Sequence, residues 1–230
     1  MNPRVVIVTG AFGALGHVVC EAFARAGDQV AAVDVAPAAS DGFAELLGDP
    51  SLVLAGRDIT NPGTAAGVVG SVLAHLGGVD ALVNIAGGFA WETIGEAALA
   101  TWERLWAINV VTCLNMCHAA APALAQRQGR IVNLGADGAL KAAKGMAAYA
   151  AAKSGVHRLT EALAEELKGE VTVNAVLPSI IDTPQNRHDL PSADFSTWVS
   201  PAELAAVIAF LASPEASAIT GALVPVTGRV

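Results

Sequence analysis

Short runs of β-branched and aliphatic residues alternate along the chain with longer alanine-rich stretches whose apolar positions recur at helical spacing. The pattern predicts strands over residues 4–9, 29–35, 52–57, 80–85, 130–134, 172–176 and 222–226. Helices are predicted over residues 14–26, 63–75, 101–126, 149–168 and 201–211. The strands are apolar on both faces, which suits a parallel sheet covered by helices on each side. Strict alternation of strand and helix implies right-handed βαβ units, so the expected fold class is α/β, one domain over residues 1–230 with a doubly wound parallel sheet. Residues 184–200 break the rhythm. They are polar, hold Arg187, His188, Phe195 and Trp198, and are punctuated by Pro184 and Pro191 with Pro201 following. A long irregular segment in a compact α/β domain is expected to be a lid on the substrate side.

Composition narrows the class. Of 230 residues 53% are hydrophobic and 15% charged, enough for one large core and far from the disordered range. The uncharged stretch 105–126 is nominally long enough to cross a bilayer, but Asn109, Asn115, His118 and Pro122 make a buried or subunit-facing helix the expectation, with no membrane partner. The apolar start Val5 to Val8 is too short for an export signal and runs into a glycine-rich turn. Three cysteines do not make a disulfide framework. Cys113 and Cys117 share a helical face without zinc-spaced partners, so they are expected to be buried thiols and no metal site is expected. A cytoplasmic location follows. A net charge of −8 repels a nucleic-acid backbone, which excludes that partner class.

The chemistry begins at Thr9-Gly10-Ala11-Phe12-Gly13-Ala14-Leu15-Gly16, between the first predicted strand and the first predicted helix. Small residues there let the backbone approach a phosphate, and the helix start offers free N–H groups and the positive end of its dipole. Gly10, Phe12, Gly13, Ala14, Leu15 and Gly16 are therefore candidate cofactor-binding residues of a dinucleotide site. Asp34 lies near the end of the second predicted strand. A carboxylate there can accept from both adenosine ribose hydroxyls and repels a 2′-phosphate, so NAD(H) is preferred over NADP(H). Farther along, Tyr149 is the only tyrosine, and Lys153 follows one helical turn later on the same face. A lysine cation beside a phenol favours the phenolate and brings a sluggish acid–base group toward neutral pH.

This ordered set resembles the short-chain dehydrogenase/reductase family, whose fold is a Rossmann-type doubly wound sheet. The glycine turn is similar to that family's TGxxx(A/G)xG fingerprint, and Asn84-Ile85-Ala86-Gly87 to its NNAG. Tyr149-Ala-Ala-Ala-Lys153 matches its YxxxK, and Pro178-Ser179 through Thr183 its PGxxxT. The likeness runs to the closing Thr220-Gly221 and Val226-Thr227-Gly228. It implies adenine contacts at Asp58 and Ile59, further cofactor contacts at Asn84, Ala86, Gly87, Pro178, Ile181 and Thr183, and cofactor contacts from Tyr149 and Lys153 themselves. It implies catalytic roles for Tyr149 as proton donor, Lys153 as its cation and ribose ligand, and Asn109 in a proton relay. It also implies a homodimer or homotetramer, in keeping with the alanine-rich helices predicted over residues 101–126 and 149–168.

One part of the pattern is missing. The family places a serine thirteen residues before the tyrosine, where this chain has Ala136, and Gly135 before it has no hydroxyl either. A narrower resemblance, to the quinonoid dihydropteridine reductases, accounts for that. It rests on Ala86-Gly87-Gly88-Phe89, Lys144-Gly145-Met146, Asp182-Thr183-Pro184-Gln185-Asn186-Arg187 and Pro191-Ser192-Ala193-Asp194-Phe195-Ser196-Thr197-Trp198. Those enzymes also lack the serine, and their substrate is reduced without forming an alkoxide. The expected function is an NADH-dependent reductase acting on a quinonoid, pterin-like small molecule, with Phe89, Trp91 and Trp198 as flat apolar surface for its ring. The alternatives are a carbonyl reductase or alcohol dehydrogenase of the 3-oxoacyl type working without its serine, and a non-catalytic NAD(H)-binding redox sensor.

Overall fold

Strand β1 (Val5–Thr9) pairs in parallel with β2 (Gln29–Val33) on one side and β4 (Ala81–Asn84) on the other. The computed structural model describes residues 3–96 and 98–229. Its chain continues through α1 (Ala14–Arg25), α2 (Phe43–Leu47), β3 (Leu52–Leu54) and α3 (Pro62–Leu76) before β4. After β4 come α4 (Leu99–Trp106), a π-helical turn (Ala107–Val111), α5 (Thr112–Ala125), β5 (Arg130–Leu134) and α6 (Ala147–Glu166). Then follow β6 (Thr172–Pro178), α7 (Pro184–Asp189), α8 (Pro201–Leu211) and β7 (Leu223–Val226). The seven strands form one parallel sheet in the order β3-β2-β1-β4-β5-β6-β7. The order reverses between β1 and β4, and a crevice opens there beyond the strand ends, where ligands of doubly wound sheets sit.

Each face of the sheet has its own core. Leu82, Ile131 and Val173 pack with Val72 of α3, Met116 of α5 and Val156 of α6. On the other face Val8, Val83 and Val132 pack with Val19 and Phe23 of α1 and with Leu204 and Ile208 of α8. Each fully buried aliphatic side chain of this kind contributes about 1.5–3 kcal/mol, which is why both faces of every central strand are apolar. Helix ends carry explicit signals. Asn61 accepts from the N–H groups of Gly63 and Thr64 at the start of α3, with Pro62 at its first position. Ser200 and Glu203 form a reciprocal capping box on α8.

The differences from the sequence-based expectation have physical causes. Strand β2 stops at Val33, so Asp34 stands just past its end, and β3 has three residues because it is an edge with one partner. Helix α2 was not anticipated; it is five residues long, too short to show a period. The helical stretch Leu99–Ala125 is long and apolar enough by composition to cross a membrane, yet half of it is buried in this fold, and the Asn115 amide donates to the carbonyls of Ile59 and Thr60. The segment expected to be irregular contains α7, capped by Thr183, and a short 3-10 turn, Phe195–Thr197.

Candidate functional site

The glycine turn is shaped by close approach. Gly10 adopts φ +66°, and a Cβ there would stand 2.8 Å from the Ala86 nitrogen. A Cβ on Gly16 would stand 2.0 Å from the Gly10 carbonyl oxygen, so α1 can start against β1 only through a glycine. Thr9 fixes the same place from below: its Oγ1 accepts from Ile85 N–H at 3.1 Å and Ala86 N–H at 3.2 Å. No side chain caps α1 at Gly13, which leaves the first-turn N–H groups available to an anion.

A cleft of about 770 Å³ opens above this turn. Its lining includes Gly10, Phe12, Gly13, Leu15, Gly16, Asp34, Asp58, Ile59, Ala86 and Gly87 among the residues expected from sequence. The Asp34 carboxylate accepts from Phe12 N–H at 3.0 Å and from Ala36 N–H at 2.9 Å, which fixes both of its oxygens at the far end of the cleft. Asp58 binds Thr60 through its N–H and hydroxyl, closing the turn that carries Ile59. The lining also includes residues that sequence reading did not single out, among them Arg57, whose N–H bonds the Asp34 carbonyl, and Ile108 of the π-helical turn. Arg57 places a cation at the Asp34 end. Its position beside Asp58 was the only available signal.

Other expected residues sit elsewhere. Ala14 is exposed on the first turn of α1, outside the cleft lining. Asn84 is buried and its amide donates to Asn133 Oδ1 and Cys117 Sγ, so the side chain pins β4 to β5 and α5. Pro178 ends β6; Ile181 bridges to Val199, and the Thr183 hydroxyl caps α7. These three line the path from the sheet into the 184–200 segment and not the cleft itself.

The second half of the site is built on α6. Tyr149, Lys153 and His157 lie at successive four-residue steps on one helix face. Lys153 is buried, and its Nζ donates to the Leu134 carbonyl at 2.7 Å. A Cβ on Gly87 would meet Asn109 Oδ1 at 2.5 Å and Lys153 Nζ at 3.6 Å, so three chain segments converge there and only glycine fits. Asn109 sits in the π-helical turn, a local widening often found at functional positions. Its amide donates to the carbonyls of Gly88 and Leu105, and its Oδ1 accepts from Gly88 N–H, so the side chain clamps the Gly87-Gly88 turn. That turn carries Phe89 edge-on against Tyr149, with ring centroids 4.9 Å apart.

Burial sets the electrostatics here. It pushes the Tyr149 phenol up to about 12 and pulls the Lys153 ammonium down to about 8. At neutral pH the pair is therefore a neutral phenol one helical turn from a cation; burial outweighs the lysine, so the phenol is moved away from neutral pH and not toward it as the spacing alone led one to expect. Phe89 and Trp91 are both 54% exposed around this point, and Trp91 lies over Gly145, where a Cβ would stand 2.2 Å from the indole. Trp198, expected to offer surface to a ligand, is instead buried behind Phe195, and Arg187 stacks over Phe195 while pairing with Asp182. Ala136 is also buried, and no hydroxyl stands at its position. Cys113 and Cys117 are free and buried, and Cys113 donates to Asn133.

Against known proteins, a family model described as short chain dehydrogenase matches residues 4–193. The chain is 32% identical to a 3-oxoacyl-[acyl-carrier-protein] reductase of Vibrio cholerae, covering 99% of this chain and 97% of that protein. It is 32% identical to a meso-2,3-butanediol dehydrogenase of Serratia marcescens, over 98% of this chain and 93% of the other. Its fold superposes on the crystal structure of a glucose/ribitol dehydrogenase from Brucella melitensis with a TM-score of 0.92 at 33% identity, covering 98% and 95% of the two chains.

Proposed function

The chain belongs to the short chain dehydrogenase family and is an NAD(P)-dependent oxidoreductase; from that premise we propose that it uses NAD(H) to reduce the carbonyl of a small molecule to an alcohol, with Tyr149 as the proton donor. The observation that carries this reading is that Asn109 and Lys153 meet at Gly87, which lines the cleft, with Tyr149 one helical turn from Lys153 and packed against Phe89. The cleft, the uncapped start of α1 and the close-packed glycines fit a dinucleotide, whose pyrophosphate would lie on the N–H groups of Leu15 and Gly16. Bound there, the cofactor supplies a hydride from its nicotinamide. Asp34 would accept from the adenosine ribose hydroxyls, and its charge supports NAD(H) over NADP(H) even with Arg57 close by. Tyr149 holds the proton that the substrate oxygen needs, and Lys153 holds a cation beside it. Asn109 keeps the Gly87-Gly88 turn, and with it Phe89, in place. The 184–200 segment, linked to the sheet through Pro178 and Thr183, would close over the substrate.

The named activities of the relatives are carbonyl and alcohol interconversions, which fit this reading better than the quinonoid dihydropterin expected from the narrower resemblance. A quinonoid substrate is a second reading, supported by Ala136 and by the exposed Phe89 and Trp91 next to Tyr149. Exposed Trp106 and Leu114 on the α4–α5 stretch support a homodimer or homotetramer, and three free buried thiols support a reducing, cytoplasmic setting.

The test is NADH oxidation, followed by absorbance, with aliphatic ketones, 3-oxoacyl thioesters and a quinonoid dihydropterin, beside Tyr149→Phe. Carbonyl turnover lost about a thousandfold in the variant is expected. Turnover of the dihydropterin alone would replace the carbonyl reading with the quinonoid one, and an unaffected variant would refute Tyr149 as donor.

A further inference from the structure

A buried histidine outside the catalytic pattern bonds the backbone at the end of β5. His157 is 2% exposed and lies one turn beyond Lys153 on α6. Its Nε2 accepts from Ala136 N–H at 3.3 Å, which requires the neutral ring with its proton on Nδ1. The three backbone groups at the end of β5 are then all occupied. Leu134 offers its carbonyl to Lys153 at 2.7 Å, Gly135 N–H donates to the Val176 carbonyl at 2.9 Å, and Ala136 N–H is held by His157. Gly135 is forced to be glycine by the same ring, since a Cβ there would stand 2.6 Å from Nε2.

We propose that His157 is a positioning residue of the catalytic centre, anchoring the Leu134–Ala136 corner so that the Leu134 carbonyl faces the Lys153 ammonium. The inference rests on the assignment of Lys153 and Tyr149 made above. The corner is where the family pattern has a serine, and in this chain an imidazole bonds its backbone. The ring remains neutral because burial, and after it the charges of Lys153 and Arg158, pull its pKa down to about 4. Lys153 in turn feels Cys113 of α5. A neutral acceptor adds no second positive charge beside Lys153. A cationic residue at 157 would add one and would leave Ala136 N–H without a partner.

The test compares His157→Leu with His157→Gln, whose amide oxygen reaches about as far as Nε2. The titration of Lys153, followed by NMR of its labelled side chain, reads the inference without any turnover. His157→Leu is expected to lower the Lys153 midpoint by about half a unit, roughly threefold in its proton affinity, because the ammonium loses a fixed carbonyl. His157→Gln is expected to restore it. Alcohol oxidation measured across pH should show its rising limb displaced upward in His157→Leu and returned in His157→Gln. If His157→Leu does not fold, Gly135→Ala carries the same expectation by pushing the ring aside. A Lys153 midpoint unmoved or raised in the folded variant overturns the inference. Undiminished turnover in Tyr149→Phe would instead overturn the proton-donor assignment and leave the Lys153 titration to decide the role of His157.

Discussion

The two ends of the site work by different physics. Around β1 and α1 the cleft is made of backbone: free N–H groups, a helix start and glycines whose value lies in the Cβ atoms they lack. Around β5 and α6 it is made of desolvated side chains, a phenol, an ammonium and an imidazole, with their protonation set by burial. A backbone site tolerates no added volume but carries little strain in charge. A side-chain site tolerates lost pattern elements, as at Ala136, but holds a buried cation against its preference for water.

Lys153→Met should separate the two ends most sharply. Turnover is expected to fall about a thousandfold while stability at pH 7 rises, since removing a functional but unfavourably buried charge relieves the fold. The sign follows from the lowered pKa. Below about pH 8 the folded chain holds the buried ammonium at a cost of about 3 kcal/mol, and between about 8 and the ordinary 10.5 the unfolded chain binds more protons, so wild-type stability recovers as pH rises. The stability gap between Lys153→Met and wild type, followed by chemical denaturation, should therefore shrink from pH 8 to 10. A gap independent of pH would mean that the lysine is not buried as a cation.

Ala136→Ser comes next. If the substrate is a carbonyl, a hydroxyl at this corner should raise kcat by about tenfold to a hundredfold. On a quinonoid substrate it should change little, so the same variant measured on both classes sharpens the choice between them. Gly16→Ala tests the backbone end. Its Cβ would overlap the Gly10 carbonyl, which is expected to cost about 1–3 kcal/mol, lower the melting temperature by several degrees and weaken NADH binding measured by fluorescence titration. An unchanged affinity would mean the turn does not hold the pyrophosphate. The smallest effect is expected from Asp34→Ser, which should move the kcat/KM ratio about tenfold toward NADPH, with Arg57 left as the nearby cation.

The backbone end was largely legible in the sequence because its logic is local. The order of strand, glycine turn and helix places Gly10, Gly13 and Gly16 without reference to anything distant, and Asp34 follows at the next strand end. The side-chain end was legible only in part. Tyr149 and Lys153 announce themselves by one-turn spacing on a single helix, and His157 continued that spacing unread, because a buried histidine has no meaning until its partner is known. That Trp198 turns inward and that the Asn84 amide turns to Asn133 and Cys117 was hidden for the same reason: which way a side chain turns is settled by neighbours that lie far away in sequence.

The sequence by itself determined the alternation of strands and helices, the doubly wound class, the glycine turn and the Tyr149–Lys153 face, all of which depend on periodicity and on residues within a few turns of each other. Only the tertiary structure decided that the 184–200 segment has helical order, that Arg57 enters the cleft, that Asn109 clamps Gly88, and that His157 reaches Ala136 across the β5 corner. Those contacts join positions that share no local pattern, and they form only when parallel strands bring their ends to one edge of the sheet.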